Sequence, residues 1–151
     1  MGIAGIYYDK SQFDSTISVL NKAKKLVPEE FRVYFLLGIS YQRKQDVVNA
    51  ASTLEKALSI NAKSVEAMTA LALVYDELKR KGDSDSLYER ALRLDPHNHL
   101  LLNNYGYSLS ERGIQLERSL RMSKEALELQ PNNQSYLDTY EIGRASCRER
   151  V

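Results

Sequence analysis

A period of 34 residues constrains this chain more than any other feature. At that step a small residue recurs as Ala4, Gly38, Ala72 and Gly106, and the residue three further on reads Tyr7, Tyr41, Tyr75 and Leu109. A second series runs Leu20, Leu54 and Tyr88, then Ala23, Ala57 and Ala91, with boundaries at Pro28, Ala62 and Pro96. Self-similarity at such a period marks stacked supersecondary units, each too small to bury its own apolar face.

The unit is clearest in Phe31 to Ser64. Tyr34, Leu37, Gly38 and Tyr41 fall at helical spacing and share one face; Ala50, Leu54, Ala57 and Leu58 do the same after a short polar turn. Two amphipathic helices per unit follow. The next unit repeats the scheme with Met68, Leu71, Ala72 and Tyr75, then Leu87, Tyr88, Ala91 and Leu92. The one after uses Leu101, Leu102, Tyr105, Gly106 and Leu109, then Leu116, Leu120, Met122, Ala126 and Leu127, ending at Pro131. It is one residue long, and the extra residue falls somewhere in Arg112 to Ser119.

Gly38 and Gly106 inside helices each cost roughly 1 kcal/mol against alanine, a loss that close helix approach can offset. Alanine fills the same slot at Ala4 and Ala72, so the demand is for small volume and not for glycine's backbone freedom. Proline at Pro28, Pro96 and Pro131 stops one helix, and its fixed φ suits the first turn of the next, where Glu29 and Glu30 meet a positive helix end.

This pattern resembles the tetratricopeptide repeat, whose signature is aromatic-x2-Leu-Gly-x2-Tyr, then Ala-x3-Phe, a further Ala, and Pro. Tyr34, Leu37, Gly38, Tyr41, Ala50, Leu54 and Ala57 carry it in one unit, and Met68, Leu71, Ala72, Tyr75, Ser84, Tyr88, Ala91 and Pro96 in the next. Met68 and Leu102 replace the usual aromatic, Thr16 and Ser84 replace alanine, and Ala62 replaces proline. The resemblance implies an all-α fold: a right-handed α-solenoid of antiparallel helix pairs. Its repeats are expected at about 1–30, 31–64, 65–98 and 99–133, with a partial fifth at 134–141.

Both ends of the chain carry expectations. Counting back from Pro28 puts Met1 inside the first helix of a repeat, as at an internal start or cut edge. After Tyr140 the register is lost, and IGRASCRERV resembles a translated DNA sequencing adapter. Ile142 to Val151 is therefore expected to be a non-native disordered tail, with Glu141 at its edge. Cys147, the only cysteine, belongs to it and supports no inference about redox compartment. Without Arg144, Arg148, Glu149 and Arg150 the formal charge moves from +1 to −1. Neither end brings a native polar capping helix, so apolar edges and self-association are expected.

A charge this close to zero gives no basic face for nucleic acid or anionic lipid. No run approaches transmembrane length, and MGIAGIYYDK has neither the charged nor the apolar region of a signal peptide; Ile6 rules out a myristoylation signal. Compartment is otherwise open. His97 and His99 flank Asn98, but no further His completes a metal site, so they read as turn residues. Tyr7, Tyr34, Tyr41, Tyr75, Tyr88 and Tyr105 hold repeat-core positions. Ser108 and Ser110 have no histidine partner at a recognisable spacing, and there is no glycine-rich phosphate loop. No catalytic residue, metal or cofactor is expected.

What remains is surface. In a solenoid of helix pairs the first helices line the concave side. The resemblance puts partner-binding positions on Arg32, Phe35, Ile39, Gln42 and Arg43; on Glu66, Thr69, Leu73, Asp76 and Glu77; and on Leu100, Asn103, Tyr107, Ser110 and Glu111. Phe35, Ile39, Leu73 and Tyr107 are the expected anchors, and packing against neighbouring first helices is the competing role for them. Charge runs from Arg32 and Arg43 toward Asp76, Glu77, Glu111 and Asp138. Gly5, Leu36, Glu66 and Ala70 stand where family members that grip a C-terminal carboxylate need Lys, Asn or Arg, so that mode is not expected. The expected function is a noncatalytic scaffold that holds a peptide or helix of a protein partner. The alternatives are a regulatory or substrate-recruiting arm of a larger enzyme, and an RNA-binding solenoid, which the acidic end opposes.

Overall fold

The computed structural model describes residues 12–150, and the first helix expected around Ala4 and Tyr7 lies outside them. Eight helices follow: α1 Phe13–Leu26, α2 Phe31–Arg43, α3 Val47–Ile60, α4 Val65–Glu77, α5 Lys81–Leu94, α6 His99–Glu111, α7 Leu116–Leu129 and α8 Gln134–Glu149. No strand occurs among the described residues, and the all-α helical-hairpin fold is as the periodicity implies.

The 34-residue period is written into the turns as well as the cores. Backbone N–H groups of Asp46, Arg80 and Ile114 reach back to the carbonyls of Tyr41, Tyr75 and Leu109 at 2.8–3.1 Å, closing the first helix of each repeat in the same way. The residue before each of those donors has positive φ: Gln45 (64°), Lys79 (61°) and Gly113 (65°). A left-handed backbone costs a non-glycine residue about 1–2 kcal/mol, and glycine's extra chain entropy takes back about 0.5–1. Lys79→Gly is therefore expected to stabilise the chain by roughly 0.5–1 kcal/mol in urea unfolding, and Gly113→Ala to act in the opposite direction. A shift in the wrong direction for either variant refutes the turn assignment.

Entry into each following repeat is closed by a side chain. Glu30, Ser64, Asn98 and Asn133 accept hydrogen bonds from the backbone N–H of Arg32, Ala67, Leu101 and Tyr136, satisfying groups at the positive end of α2, α4, α6 and α8. Pro28, Pro96 and Pro131 lie in the connecting turns, two residues ahead of these caps, and not in the first turn of the helix as the sequence suggests. The extra residue of the long repeat is also placed. α7 starts at Leu116, where the period predicts residue 115, and Gln115 absorbs the difference with a second left-handed conformation (φ 48°) and no side-chain cap.

The chain divides into two compact units, 1–87 and 88–151, with the division inside α5. In the first, α2 packs on α1 and α3, and α4 on α3 and α2. Its core joins Leu20, Val33 and Leu37 with Ile17, Val19, Ala23, Leu36 and Tyr41. Ala50, Leu54, Ala57, Met68, Leu71, Ala72 and Val74 are buried further along. In the second unit α6 packs on α7, and α8 on both α7 and α6. Tyr88 and Tyr105 stack there with ring centroids 4.7 Å apart, and Leu101, Leu109, Met122, Ala126 and Tyr136 are buried around them.

The small-residue slot is tighter than the sequence implies. A Cβ on Gly38 would stand 2.5 Å from Leu54 Cγ, and one on Gly106 would stand 3.2 Å from the Ser119 carbonyl oxygen. Neither glycine has positive φ, so close approach is the reason for both. The end of the chain departs from expectation. Residues 142–149 continue α8 where a disordered tail is expected. Gly143 explains how the helix passes: it is buried, with Ser110, Leu120 and Ser123 side chains 3.5–3.6 Å from where its Cβ would be.

Candidate partner-binding surface

Each unit presents the surface of its own first helices. In the first unit, α2 carries exposed Arg32 and Arg43 and half-buried Phe35, Ile39 and Gln42, while α4 carries exposed Glu66 and Glu77 and half-buried Leu73. The two helices are tied across this surface by Gln42 Nε2, which donates to Glu77 Oε1 at 3.0 Å. Phe31 stacks on Phe35 at 5.7 Å with nearly parallel rings. Phe31 is absent from the sequence-based set, although its place one turn before Phe35 could have suggested the pair.

Thr69 and Asp76, expected on the same surface, are buried. Thr69 Oγ1 donates to the Val65 carbonyl at 2.7 Å, and Asp76 accepts from Lys81 Nζ at 3.1 Å. Their polar atoms serve the fold. Removing Asp76 from the surface also weakens the expected acidic run in this unit.

The second unit sorts in the same way. On α6, Leu100 and Tyr107 are 47% and 40% exposed, whereas Asn103 and Ser110 are 6% exposed. Ser110 Oγ lies 2.6 Å from Ser119 Oγ, which in turn donates to the Gly106 carbonyl at 2.7 Å. Asn103 Oδ1 is buried without a hydrogen-bond partner. Glu111 is exposed one turn beyond Tyr107. Burial, and then the Glu111 carboxylate that accepts its hydroxyl, raise the Tyr107 pKa above the usual phenol value.

On other faces, contacts that the sequence did not reveal tie successive repeats. Glu55 on α3 accepts the Tyr75 hydroxyl at 2.6 Å, and the Arg80 guanidinium lies 4.1 Å from the Tyr75 ring centroid. Burial first, and then the Glu55 hydrogen bond, push Tyr75 up to about 12. Glu89, one period after Glu55, repeats the arrangement with Tyr105 (2.9 Å) and with Arg118, whose two terminal nitrogens bond its carboxylate at 2.7 and 3.1 Å. The tyrosine has moved one helical turn, because the position equivalent to Tyr75 is Leu109.

Tyr75, Tyr88, Tyr105 and Tyr136 are buried, and Tyr34 and Tyr41 are half-buried against their units. The two histidines engage different partners: His97 Nδ1 lies 2.5 Å from Glu125 Oε1, and His99 Nδ1 lies 2.7 Å from the Tyr136 hydroxyl. Among the described residues no three His, Cys, Asp or Glu side chains gather as metal ligands, and no helix is long and apolar enough to cross a membrane.

Residues 31–64 and 65–98 each match a tetratricopeptide repeat profile, and residues 87–121 match a second profile of the same description. The chain belongs to the tetratricopeptide repeat family. Its repeats are those of a protein-interaction scaffold. Among curated relatives, the Pseudomonas aeruginosa type IV pilus assembly protein PilF is 37% identical over 52% of this chain and 31% of its own length. The BBSome complex member BBS4 of Bos taurus is 28% identical over 71% of this chain and 21% of its own. The tetratricopeptide chain thus spans about a third or less of these relatives. Among solved structures, P. aeruginosa PilF superposes with a TM-score of 0.71 at 28% identity, over 78% of this chain and 54% of that one. MamA superposes at 0.75 over 99% and 97%; with 16% identity the likeness is one of fold.

Proposed function

We propose that this chain is a noncatalytic scaffold that holds a helix or extended peptide of a partner protein against the first helices of its repeats. The carrying observation is that Leu100 and Tyr107 stay exposed on α6 while polar neighbours on the same helix are buried, the reverse of what a solvated face selects. Half-buried Phe35, Ile39 and Leu73 on α2 and α4 extend the reading to the first unit. Relatives named for assemblies support it: BBSome complex member BBS4 and anaphase-promoting complex subunit 3.

A second reading has its own observation. Two relatives are named for an N-terminal acetyltransferase A complex subunit-like protein and a protein O-mannosyl-transferase, and the chain spans 15% and 14% of them. A regulatory or recruiting arm of an enzyme would use the same surface. Affinity capture with the chain as bait tests the shared proposal. Phe35→Ala and Tyr107→Ala are expected to lose most of the parent's partners while melting as the parent does. Recovery of the same partners by both variants overturns the groove assignment. An enzyme among the lost partners selects the second reading.

A further inference from the structure

We propose that the α6 face of the second unit takes a basic amphipathic helix, whose apolar side chains seat on Leu100 and Tyr107 and whose Lys or Arg meets Glu111 and Asp138. The inference rests on the scaffold reading and adds the chemistry of the occupant.

The geometry is a single stripe. Leu100, Tyr107 and Glu111 are spaced by seven and four residues on α6, so at 3.6 residues per turn they share one face, with about 10 Å between the two apolar positions. A docked helix matches that spacing with its own residues seven apart. An extended peptide could also span about 10 Å, with roughly three residues, but its peptide groups would need partners. The stripe offers few: Asn103 and Ser110 are 6% exposed, leaving half-buried Asn104 as one amide for the whole span. A helix carries its own backbone hydrogen bonds and needs only apolar contact and charge.

Charge then selects the sign of the occupant. Glu111 and Asp138 are both exposed, and Asp138 holds on α8 the position that Asn103 holds on α6. Nearby cations bond elsewhere: Arg112 Nε donates to the Ser108 carbonyl, Arg118 to Glu89 and Arg144 to Glu141. A cationic helix fits this field, and an anionic one meets repulsion.

Labelled peptides of about five helical turns test this by fluorescence anisotropy against the intact chain. One peptide carries two leucines seven positions apart with lysines one turn beyond; a second has glutamate for lysine; a third is the lysine peptide broken by proline. The lysine helix is expected to bind at least about tenfold tighter than the glutamate helix or the broken peptide, with the charge preference shrinking in high salt. Glu111→Lys is expected to invert the preference between lysine and glutamate, and Tyr107→Ala to weaken the lysine helix by about tenfold. Equal binding of the two charged helices, or a preference unmoved by Glu111→Lys, overturns the basic occupant. Equal binding of the proline peptide overturns the helix. If Tyr107→Ala still weakens binding in those cases, the scaffold reading survives; if binding ignores Tyr107, both fall.

Discussion

Leu54→Ala is expected to destabilise the chain by about 2–5 kcal/mol, and a second change that is harmful alone is expected to give part of that back. Leu54 is fully buried, so its loss leaves a cavity as well as a transfer cost. Gly38 faces it so closely that an added methyl would stand 2.5 Å and 2.7 Å from Leu54 Cγ and Cδ2. Gly38→Ala therefore sets overpacking of about 1–3 kcal/mol against a helix-propensity gain of about 1. With Leu54 truncated the methyl has room. The double variant should be less damaged than the sum of the two by about 1 kcal/mol or more. Chemical unfolding of all four proteins provides the cycle, and strict additivity would show that the close approach carries no energy. Gly82→Ala is the matched control, because no atom lies within 4 Å of its Cβ position.

Tyr105→Ala should be the most damaging single change in the second unit, about 3–5 kcal/mol by the usual cost of deleting a buried aromatic ring. The ring is 1% exposed and stacks on Tyr88, and its hydroxyl donates to Glu89. Tyr105→Phe separates these contributions, keeping the stack and removing only the hydroxyl. The bond from Arg118, followed by that from Tyr105, holds the Glu89 carboxyl below its ordinary pKa. A depressed carboxylate contributes stability above its unfolded pKa, near 4.3, and loses it as pH falls through the lower folded value. The carboxylate is partly exposed, so screening keeps the effect to about 1 kcal/mol or less. Glu89→Gln should thus be less stable than the parent at pH 7, with the gap closing below about pH 4. A gap that persists at pH 3 would assign the loss to packing.

The period was legible because packing enforces it: Gly38 sits where its helix nearly touches Leu54, and Gly106 where its helix nearly touches Ser119 and Ser123. Turn closure is equally periodic, but Gln45 and Lys79 hide it, since neither residue type advertises a left-handed backbone. The extra residue could be bounded but not placed, because its accommodation at Gln115 is a local conformation without a composition cue. On the candidate surface, Leu100 and Tyr107 are exposed on α6. Thr69, Asp76, Asn103 and Ser110 are buried instead, Asp76 against Lys81 and Ser110 against Ser119 of α7. That outcome depends on neighbours that the pattern of one helix does not encode.

The relocated phenol has a consequence for anyone who treats these hairpins as interchangeable modules. Asn21, Glu55 and Glu89 stand one period apart, and the first two meet Tyr41 and Tyr75. Glu89 instead draws its hydroxyl from Tyr105, with fully buried Leu109 behind it. Grafting an earlier module into this place would install tyrosine at 109 and leucine at 105, since Leu37 and Leu71 are the equivalents of Tyr105. The phenol would return to its regular place, while the stack on Tyr88 would be lost. The hairpins are therefore not interchangeable at this seam: a shuffled or consensus-averaged version of this chain would trade the aromatic stack for the hydroxyl contact of the earlier modules.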